Sequence, residues 1–355
     1  MTKVLFTENV DPVGPELLKA AGCEVVMADR DDALIRKEIQ TAAAVVTRIY
    51  ELPTELLETA ANLKIVSKHG VGYDNIPVEW CKAHGIAVTI TPGANSQSVA
   101  EHTITLMLAL AKNLMIVTHA YKEIGFAAKN TFPGMEILGK TLGIIGVGHI
   151  GSRVAKMGLG LGMKVLAYDP YVSSVPEGVV LCTDKEDVVR QADVLTLHPV
   201  LNEETRNIIG PKELAMMKPT AYFINCGRGP LVDEPALIEK VILTLQSITS
   251  VPLQIDTSNI EAMERGLRIY NGRPLLNSVN GKAENMKEVL PLAKKYGAAL
   301  VGLCLDEGGI AENPEGRLEV ADKIIAEAGK YGIPAKDMVM DPLAMTISTG
   351  GQNAQ

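Results

Sequence analysis

Short apolar runs rich in β-branched residues alternate with helix-like stretches over residues 3–92. The runs are Val4 to Thr7, Glu24 to Met27, Ala43 to Thr47, Ile65 to Lys68 and Ile86 to Thr91. Strands that alternate with helical segments in this way are typical of a parallel sheet covered by helices. The pattern therefore predicts an α/β domain over residues 1–97.

A long apolar helix is predicted next. Asn95 and Ser96 are suitable helix caps, and apolar residues then continue from Val99 toward Tyr121. A helix with so much apolar surface needs a packing partner, either within the chain or across a dimer.

A second alternating region follows the Pro/Gly break at residues 132–134. Its apolar strands are Thr141 to Gly146, Lys164 to Tyr168, Asp193 to Leu197 and Ala221 to Asn225. These segments predict four βα steps of an open parallel sheet, which together with the long helix make a second domain over residues 98–240.

The pattern changes after Lys240, where each apolar strand ends in polar residues and precedes a helix-like segment. The strands are Leu253 to Asp256, Leu275 to Asn277, Leu300 to Leu305 and Met338 to Asp341. Their spacing is that of a (β/α) barrel, but residues 241–355 are about half of the roughly 250 that a whole barrel needs. The predicted fold class is α/β, with two Rossmann-like or flavodoxin-like parallel-sheet domains followed by a partial (β/α) barrel.

Composition narrows the function classes. The 355 residues carry a net charge of −8, and no Lys/Arg-rich run is present, so nucleic acid is not an expected partner. The five cysteines are scattered, which favours a reducing cytoplasm over a disulfide framework or a metal site. No leader-like segment and no run of about 18 apolar residues occurs, so neither secretion nor a membrane span is expected.

A glycine fingerprint follows the first strand of the second region. Gly146, Gly148 and Gly151, with His149 and Ile150 between the last two, form G-x-G-x-x-G and open a helix. Glycines there allow a tight turn and close approach of the backbone to a pyrophosphate at the helix N-terminus. The alternative interpretation is a glycine-rich turn without a ligand.

An acidic residue completes this pattern at the end of the next strand. Asp169 lies 18 residues beyond Gly151, where a carboxylate accepts hydrogen bonds from a ribose diol and repels a 2'-phosphate. The sequence thus predicts NAD rather than NADP as the cofactor.

Residues 1–240 closely resemble the D-2-hydroxyacid dehydrogenases, phosphoglycerate dehydrogenase among them. The matching segments are the glycine fingerprint, S-K-H-G-V-G-Y-D-N-I-P (67–77), N-S-Q-S-V-A-E-H-T (95–103), A-D-V-L-T-L-H (192–198) and N-C-G-R-G-P-L-V-D-E (225–234). The resemblance implies reversible hydride transfer between NAD and a small 2-hydroxy acid such as 3-phosphoglycerate, in a homodimer.

The resemblance also implies site residues. Backbone N–H groups of Gly70, Val71 and Gly72 are expected to hold the substrate carboxylate, and Arg228 to grip the 2-oxo acid with its bidentate fork. The same resemblance puts the following residues in the cofactor cleft: His198, Cys226 and Gly227. A structural salt bridge is the alternative role of Arg228.

The chain departs from this family in its acid–base group. The family uses a histidine paired with a carboxylate, both beyond the arginine, but no histidine follows His198 here. His198 is a weak candidate for a substitute acid, so the proton donor is unassigned. The other histidines are interpreted as structural or exposed, with no metal site among them: His69, His84, His102, His119 and His149.

The C-terminal part resembles a second family, the pterin-binding barrel of methyltetrahydrofolate:corrinoid methyltransferases. The matching segments are P-L-Q-I-D-T-S-N (252–259), L-L-N-S-V-N-G (275–281), L-D-E-G-G (305–309) and M-V-M-D-P-L-A (338–344). The resemblance implies that Asp256, Asn277 and Asp341 bind the pterin of a tetrahydrofolate, with a corrinoid protein as partner. Helix caps at Asp256 and Ser258 are the alternative.

The barrel's outer strands are absent, so the remaining sheet is expected to have unpaired edges. One hypothesis is that Leu253 to Asp256 replaces the missing next strand of the dehydrogenase sheet. Three functions stay open: a dehydrogenase that lacks its catalytic histidine segment, a methyltransferase-type pterin site, and an inactive chimeric or fused reading frame that at best binds NAD.

Overall fold

The computed structural model describes residues 1–311 and 313–343, apart from the side chain of Asn130. It contains two compact units. The first consists of Met1–Arg206 and Met216–Arg228, and the second of Asn207–Ala215 and the residues from Gly229 onward. The first unit holds two hydrophobic cores, and the second has a core of its own. Ala344, the last residue of the pterin-type motif at 338–344, lies outside the described residues.

A five-stranded parallel sheet begins the first unit. Its strands are β1 Lys3–Phe6, β2 Glu24–Met27, β3 Ala44–Thr47, β4 Ile65–Lys68 and β5 Ala87–Thr89, and its helices are α1 Val13–Ala20, α2 Asp32–Glu38, α3 Thr54–Leu57 and α4 Val78–Ala83. The strand order β2-β1-β3-β4-β5 is the flavodoxin-like order. Leu5, Val45 and Val66 are fully buried in the central strands, so the predicted parallel sheet is confirmed.

Two helices replace the single long helix that the sequence predicts. α5 covers Ser96–Ala111 and α6 covers Leu114–Ile124, with a break at Asn113, whose φ of 51° is left-handed. The returning chain stabilises the break, because Met135 N donates to Ala111 O at 2.6 Å and Asn113 Nδ2 donates to Pro133 O at 3.0 Å. Asparagine tolerates this conformation better than most residues.

The bend between α5 and α6 also decides whether this apolar segment counts as one helix long enough to cross a membrane. Within the described ranges, no single helix is long and apolar enough to cross a membrane, whereas residues 96–111 and 114–129, bent by 51°, meet the length and composition criterion as a pair. α5 buries Ala100, Met107 and Ala111 in the core of the second sheet.

The second sheet of the first unit is also parallel. Its strands are β6 Thr141–Ile145, β7 Lys164–Tyr168, β8 Val179–Leu181, β9 Val194–Leu197 and β10 Tyr222–Asn225, and the helices in this part of the chain are α7 Gly151–Gly160, α8 Lys185–Gln191 and α9 Pro211–Met216. The order β8-β7-β6-β9-β10 is the Rossmann order, with β6 at its centre. The sequence prediction missed β8.

The second unit contains a four-stranded parallel sheet. Its elements are α10 Glu234–Ile248, β11 Gln254–Asp256, α11 Ile260–Ile269, β12 Leu275–Asn280, α12 Ala283–Tyr296, β13 Ala299–Leu303, β14 Leu305–Asp306, β15 Gly309–Ile310, α13 Pro314–Lys330 and β16 Met338–Asp341. The sheet order is β11-β12-β13-β16, and β14 and β15 form a small antiparallel pair. One face of the sheet carries the core, with Ile255, Leu276 and Leu300 buried.

The topology corrects one hypothesis. β11 pairs in parallel with β12 inside the second unit, whereas the second sheet of the first unit ends at β10. Leu253 to Asp256 is therefore not a substitute for the missing dehydrogenase strand, although Ile255 is buried as that hypothesis required. Within the described residues, β11 and β16 are the edges of their sheet, as the sequence predicts.

Candidate functional site

The glycine fingerprint forms the turn between β6 and α7. Gly146 has a φ of +89°, and a Cβ there would lie 2.5 Å from Pro199 N. A Cβ on Gly151 would lie 2.0 Å from Gly146 O, so this glycine allows α7 to begin directly against the turn. Two of the three glycines are therefore required by the protein's own packing.

Gly148 differs from the other two glycines. No atom lies within 4 Å of where its Cβ would be, and its residue is exposed. Within the part of the chain that the structure describes, the backbone N–H groups of Gly148, His149 and Ile150 donate no hydrogen bond. Free N–H groups at the start of a helix are suited to bind a phosphate anion.

Asp169 stands at the end of β7, next to this turn. Its Oδ2 accepts from Val147 N at 2.8 Å, and its Oδ1 accepts from Tyr171 N at 2.9 Å. The side chain is half-buried, and each carboxylate oxygen has a second lone pair for a hydroxyl. Open space at Gly148, free amides and a fixed carboxylate together fit a dinucleotide such as NAD.

The predicted carboxylate loop follows β4. Arg228 reaches this loop, because a Cβ on Gly72 would lie 2.1 Å from Arg228 Nη2. Arg228 Nε donates to Asp74 Oδ1 at 2.8 Å in a half-exposed ion pair. Burial alone would raise the pKa of Asp74, but the hydrogen bond from Arg228 holds that pKa below its usual value. The structure thus brings Arg228 to the loop at residues 70–72 and also forms the salt bridge that the alternative interpretation requires.

Arg228 is fixed by a short turn after β10. Asn225 Nδ2 donates to Arg228 O at 2.9 Å, and Gly227 N donates to Asn225 Oδ1 at 2.9 Å. Cys226 lies within this turn and is half-buried. The turn fixes the backbone at Arg228, which leaves its long side chain to reach Gly72.

Two charged residues near this site were missed by sequence reasoning. Glu8, just after β1, accepts from the backbone N–H groups of Arg48, Ile49 and Tyr50 at 2.5–2.7 Å. Lys68, the last residue of β4, donates from Nζ to Arg48 O and to Asn75 Oδ1. Both are buried, at 5% and 4% exposure. Their position at strand ends is visible in the sequence, but their burial is not.

The geometry of His198 argues against a role as substitute acid. His198 lies at the end of β9, with Nε2 3.1 Å from Thr196 Oγ1. Burial lowers its pKa to about 4, so the imidazole is neutral at pH 7 and has no surplus proton to donate. Its place beside the Gly146 turn keeps it next to the predicted cofactor site.

The predicted pterin residues lie on one face of the second unit's sheet. Asp256 and Asn277 are register partners on β11 and β12, and Asn277 Nδ2 donates to Asp256 Oδ2 at 3.1 Å. Asp341 lies two residues beyond Val339, the β16 residue in line with them, so its side chain faces the same side. Its Oδ1 accepts from Leu343 N at 2.8 Å.

The helix-cap interpretation of Asp256 and Ser258 is wrong. Asn259 caps α11, because its Oδ1 accepts from Ala262 N at 3.1 Å. Asp256 is therefore available for another role, and its one side-chain partner among the described residues is Asn277.

Two protein-family models match the chain. Residues 104–250 match the family described as D-isomer specific 2-hydroxyacid dehydrogenase, NAD binding domain. Residues 227–355 match the family described as pterin binding enzyme. The two matches overlap over residues 227–250, which include α10.

Comparison with curated relatives shows that the first of these two family assignments applies. Hydroxypyruvate reductase of Thermotoga maritima is 40% identical over 213 residues, which are 59% of this chain and 68% of that protein. The chain belongs to the D-2-hydroxyacid dehydrogenase family. D-3-phosphoglycerate dehydrogenase of Methanocaldococcus jannaschii is a 40% identical member over 243 residues, which are 67% of this chain.

This chain of the dehydrogenase family matches only part of the length of some relatives. It spans 46% of the Methanocaldococcus jannaschii protein, or about half. Among solved structures, D-lactate dehydrogenase of Aquifex aeolicus, complexed with NAD and lactic acid, has a TM-score of 0.63 and 27% identity, and the match covers 94% of this chain and 96% of that one. The Rossmann-type dehydrogenase fold that the sequence predicts is confirmed, as is the pterin-binding match at the C-terminal end.

Proposed function

We propose that this chain binds NAD and a small 2-hydroxy or 2-oxo acid, and that its reaction is hydride transfer between them. The observation that carries the proposal is the contact of the Arg228 guanidinium with Gly72 in the loop after β4. Residues 98–240 hold the cofactor in this proposal, and residues 1–97 hold the acid. NAD, when bound, supplies the hydride acceptor or donor.

Three groups of residues bind and orient the reactants. The amides at 148–150 hold the pyrophosphate, Asp169 accepts from the ribose hydroxyls, and Gly146 and Gly151 shape the turn. His198, Cys226 and Gly227 line the cofactor cleft. The N–H groups of Gly70, Val71 and Gly72 hold the acid's carboxylate, while the Arg228 fork donates to its oxygen atoms.

The reaction also needs a proton donor. Reduction of a ketone leaves an alkoxide that needs a proton, and a positioned acid typically contributes about 10²–10⁴-fold to such a step. His198 is neutral at pH 7 and no histidine follows it, so we assign binding and orientation to this chain's residues and proton donation to none of them. Hydride transfer is therefore expected to be slow. 3-Phosphoglycerate and lactate, the acids of named relatives, are the first substrates to test.

The test has two arms. NADH binding is measured by its fluorescence, and the reduction of NAD is then followed with 3-phosphoglycerate and lactate. Arg228→Lys keeps the charge but loses the fork, so it should weaken acid binding about tenfold and leave NADH binding unchanged. Equal acid binding by Arg228→Lys would contradict the role of Arg228, and failure of wild type to bind NADH would contradict the whole proposal.

We propose a second binding function for the C-terminal part, because three polar side chains share one sheet face there. Asp256, Asn277 and Asp341 are proposed to bind the pterin ring of a tetrahydrofolate, and residues 241–355 to be the remnant of a barrel that uses it for methyl transfer to a corrinoid protein. The Asp256–Asn277 hydrogen bond supports a preformed site.

Calorimetric titration with methyltetrahydrofolate tests the pterin site. Asp256→Asn should weaken binding about tenfold, because a charged acceptor is lost. Ser258→Ala, an exposed change two residues away, should not alter binding. If wild type binds neither methyltetrahydrofolate nor NADH, the chimeric reading frame is the remaining interpretation, and a genomic read across codons 235–255 would examine it.

We also propose that the chain forms a homodimer through α5 and α6. No residue of α6 is buried in the described chain, and Leu114, Met115 and Ile116 are each more than half exposed. Apolar helix surface of this kind favours a protein partner.

A further inference from the structure

Lys68 is an ammonium group buried without a carboxylate partner. Its residue is 4% exposed, and its Nζ donates to two neutral oxygens, Arg48 O and Asn75 Oδ1. Among the ion pairs of the described residues, none includes Lys68. Burial of a charge is costly unless an opposite charge pairs with it, so a lysine here needs a reason.

The location of Lys68 supplies that reason. Its side chain runs along the loop at residues 70–72, because a Cβ on Gly70 would lie 3.4 Å from Lys68 Cε. The charged groups that act on its ammonium are Asp74, Arg228 and Glu8. Asp74 already pairs with Arg228, and Glu8 accepts three backbone N–H groups, so both carboxylates are occupied.

The donor count leaves room for an anion. A lysine ammonium has three N–H donors, and the chain's described residues accept from it at two oxygens. A carboxylate bound by the loop at 70–72 would lie near the Lys68 side chain, which passes the loop at Gly70, and attraction to a buried charge is screened less than attraction to an exposed one.

We propose, resting on the proposed function, that Lys68 is a positioning residue whose buried charge selects a carboxylate at the Gly70–Gly72 loop. It acts with Arg228, so that two cations from different parts of the chain face one acid: Arg228 from an exposed side and Lys68 from the interior. The ligand class is a small 2-hydroxy or 2-oxo monocarboxylate.

Oxalate is the probe, because it has the size and the adjacent oxygen atoms of a small 2-oxo acid, although it carries two negative charges, and because it cannot be reduced by NADH. Its binding to the full-length, NADH-saturated protein is measured by calorimetry. Lys68→Met is expected to weaken oxalate binding about tenfold or more, and Lys68→Arg to restore most of that loss. Unchanged NADH binding and an unchanged urea midpoint of the Trp80 fluorescence in each variant verify that both sheets of the first unit are folded.

Two matched variants distinguish the effect of the Lys68 charge from a structural role of its side chain. Lys64→Met makes the same charge change at an exposed residue directly before β4, about 13 Å from Lys68 along the chain direction, and should leave oxalate binding unchanged. Asn75→Ala removes the amide that donates to Tyr50 O at 2.7 Å but keeps the Lys68 charge, so it should weaken oxalate binding less than Lys68→Met.

The pH dependence of oxalate binding is a further test, because a purely structural role of Lys68 would not change it. Burial lowers the pKa of Lys68 from its ordinary value of 10.5, so oxalate binding by wild type should fall as the pH rises toward that value. The carboxylates that act on Lys68 do not mimic this loss, since Asp74 and Glu8 stay ionised at alkaline pH, and burial raises the pKa of the nearby Tyr50 to about 12. His69, the next residue, is exposed.

The outcomes are distinct. Loss of oxalate binding in Lys68→Met, rescue by Lys68→Arg and disappearance of the alkaline decline in Lys68→Arg support the inference. Equal binding by wild type and Lys68→Met, or equal losses in Lys68→Met and Asn75→Ala, would overturn it while the proposed function stands. If wild type binds NADH but no oxalate, the acid-binding half of the proposed function fails, and the role of Lys68 fails with it.

Discussion

Glu8 and Lys68 hold one loop from opposite sides. The loop at residues 48–50 follows β3, and β1 and β4 are the neighbours of β3 in the sheet, so Glu8 and Lys68 approach it from both flanks. Glu8 accepts the loop's N–H groups, and Lys68 donates to the carbonyl oxygen of Arg48. The sequence predicted Arg228 and the glycines beside it. It did not predict that Glu8 and Lys68 are buried near this site, because burial depends on contacts between distant strands.

Glu8→Gln is expected to lower the free energy of unfolding of the first unit by about 1–3 kcal/mol, because charge-assisted hydrogen bonds become neutral ones. Burial alone would raise the pKa of Glu8, but the backbone N–H groups hold it below 4.5. The folded state therefore binds fewer protons, so this stabilisation is complete above pH 4.5 and is lost as the pH falls through the folded pKa.

Urea unfolding from pH 3 to 8, followed by fluorescence of the single tryptophan, Trp80 in α4, measures this effect. Glu16→Gln, an exposed change in α1, is the control. A Glu8→Gln variant with the same stability and the same acid dependence as wild type would show that the three N–H bonds contribute nothing.

Gly72→Ala is expected to displace the Arg228 side chain, because the added Cβ would lie 2.1 Å from Nη2. Oxalate binding should weaken about tenfold, with NADH binding unchanged. Gly14→Ala in α1, where no atom lies within 4 Å, is the matched control. Oxalate titration of both variants checks this, and undiminished binding by Gly72→Ala would separate the loop from Arg228.

At the scale of elements, the sequence predicted where most strands lie but not how helices bend. The strands of the first unit that were predicted lie within one or two residues of their observed bounds, since short apolar runs rich in β-branched residues favour buried strands of a parallel sheet. The break at Asn113 was missed because contacts from Pro133 and Met135, some 20 residues later, stabilise it. Local pattern carries no information about such contacts.

The glycines of the β6–α7 turn should separate stability from cofactor binding. Gly151→Ala places a Cβ 2.0 Å from Gly146 O and should lower the melting temperature by several degrees. Gly148→Ala meets no protein atom within 4 Å, so it should melt like wild type and yet lose about tenfold in NADH affinity. Thermal melts and NADH titrations of both variants check this; unaltered NADH affinity in Gly148→Ala would place the pyrophosphate elsewhere.

At the scale of the whole molecule, two family matches share one helix. The dehydrogenase match ends at 250 and the pterin match begins at 227, so α10 belongs to both, and the boundary predicted after Lys240 falls inside it. The sequence indicated the change of family through its motifs. It could not indicate that the two matches overlap along one continuous helix, because each family's pattern is compatible with a helix there.

The homodimer predicts a specific effect of surface charge. Met115→Glu, at a position 77% exposed on α6, should shift the chain from dimer to monomer, because a buried unpaired charge destabilises an apolar interface. Leu17→Glu, at a position 67% exposed on α1, should not. Light scattering after size-exclusion chromatography measures both, and a wild-type chain that is already monomeric would contradict the proposed interface.

The close approach of Arg228 to Gly72 also constrains how this protein can diverge. A side chain at position 72 is incompatible with the present course of the arginine, and a shorter residue at 228 would remove the reason for glycine at 72. Substitution at either position alone loses the contact. Over evolutionary time the two positions, in distant parts of the chain, should therefore covary or both stay fixed.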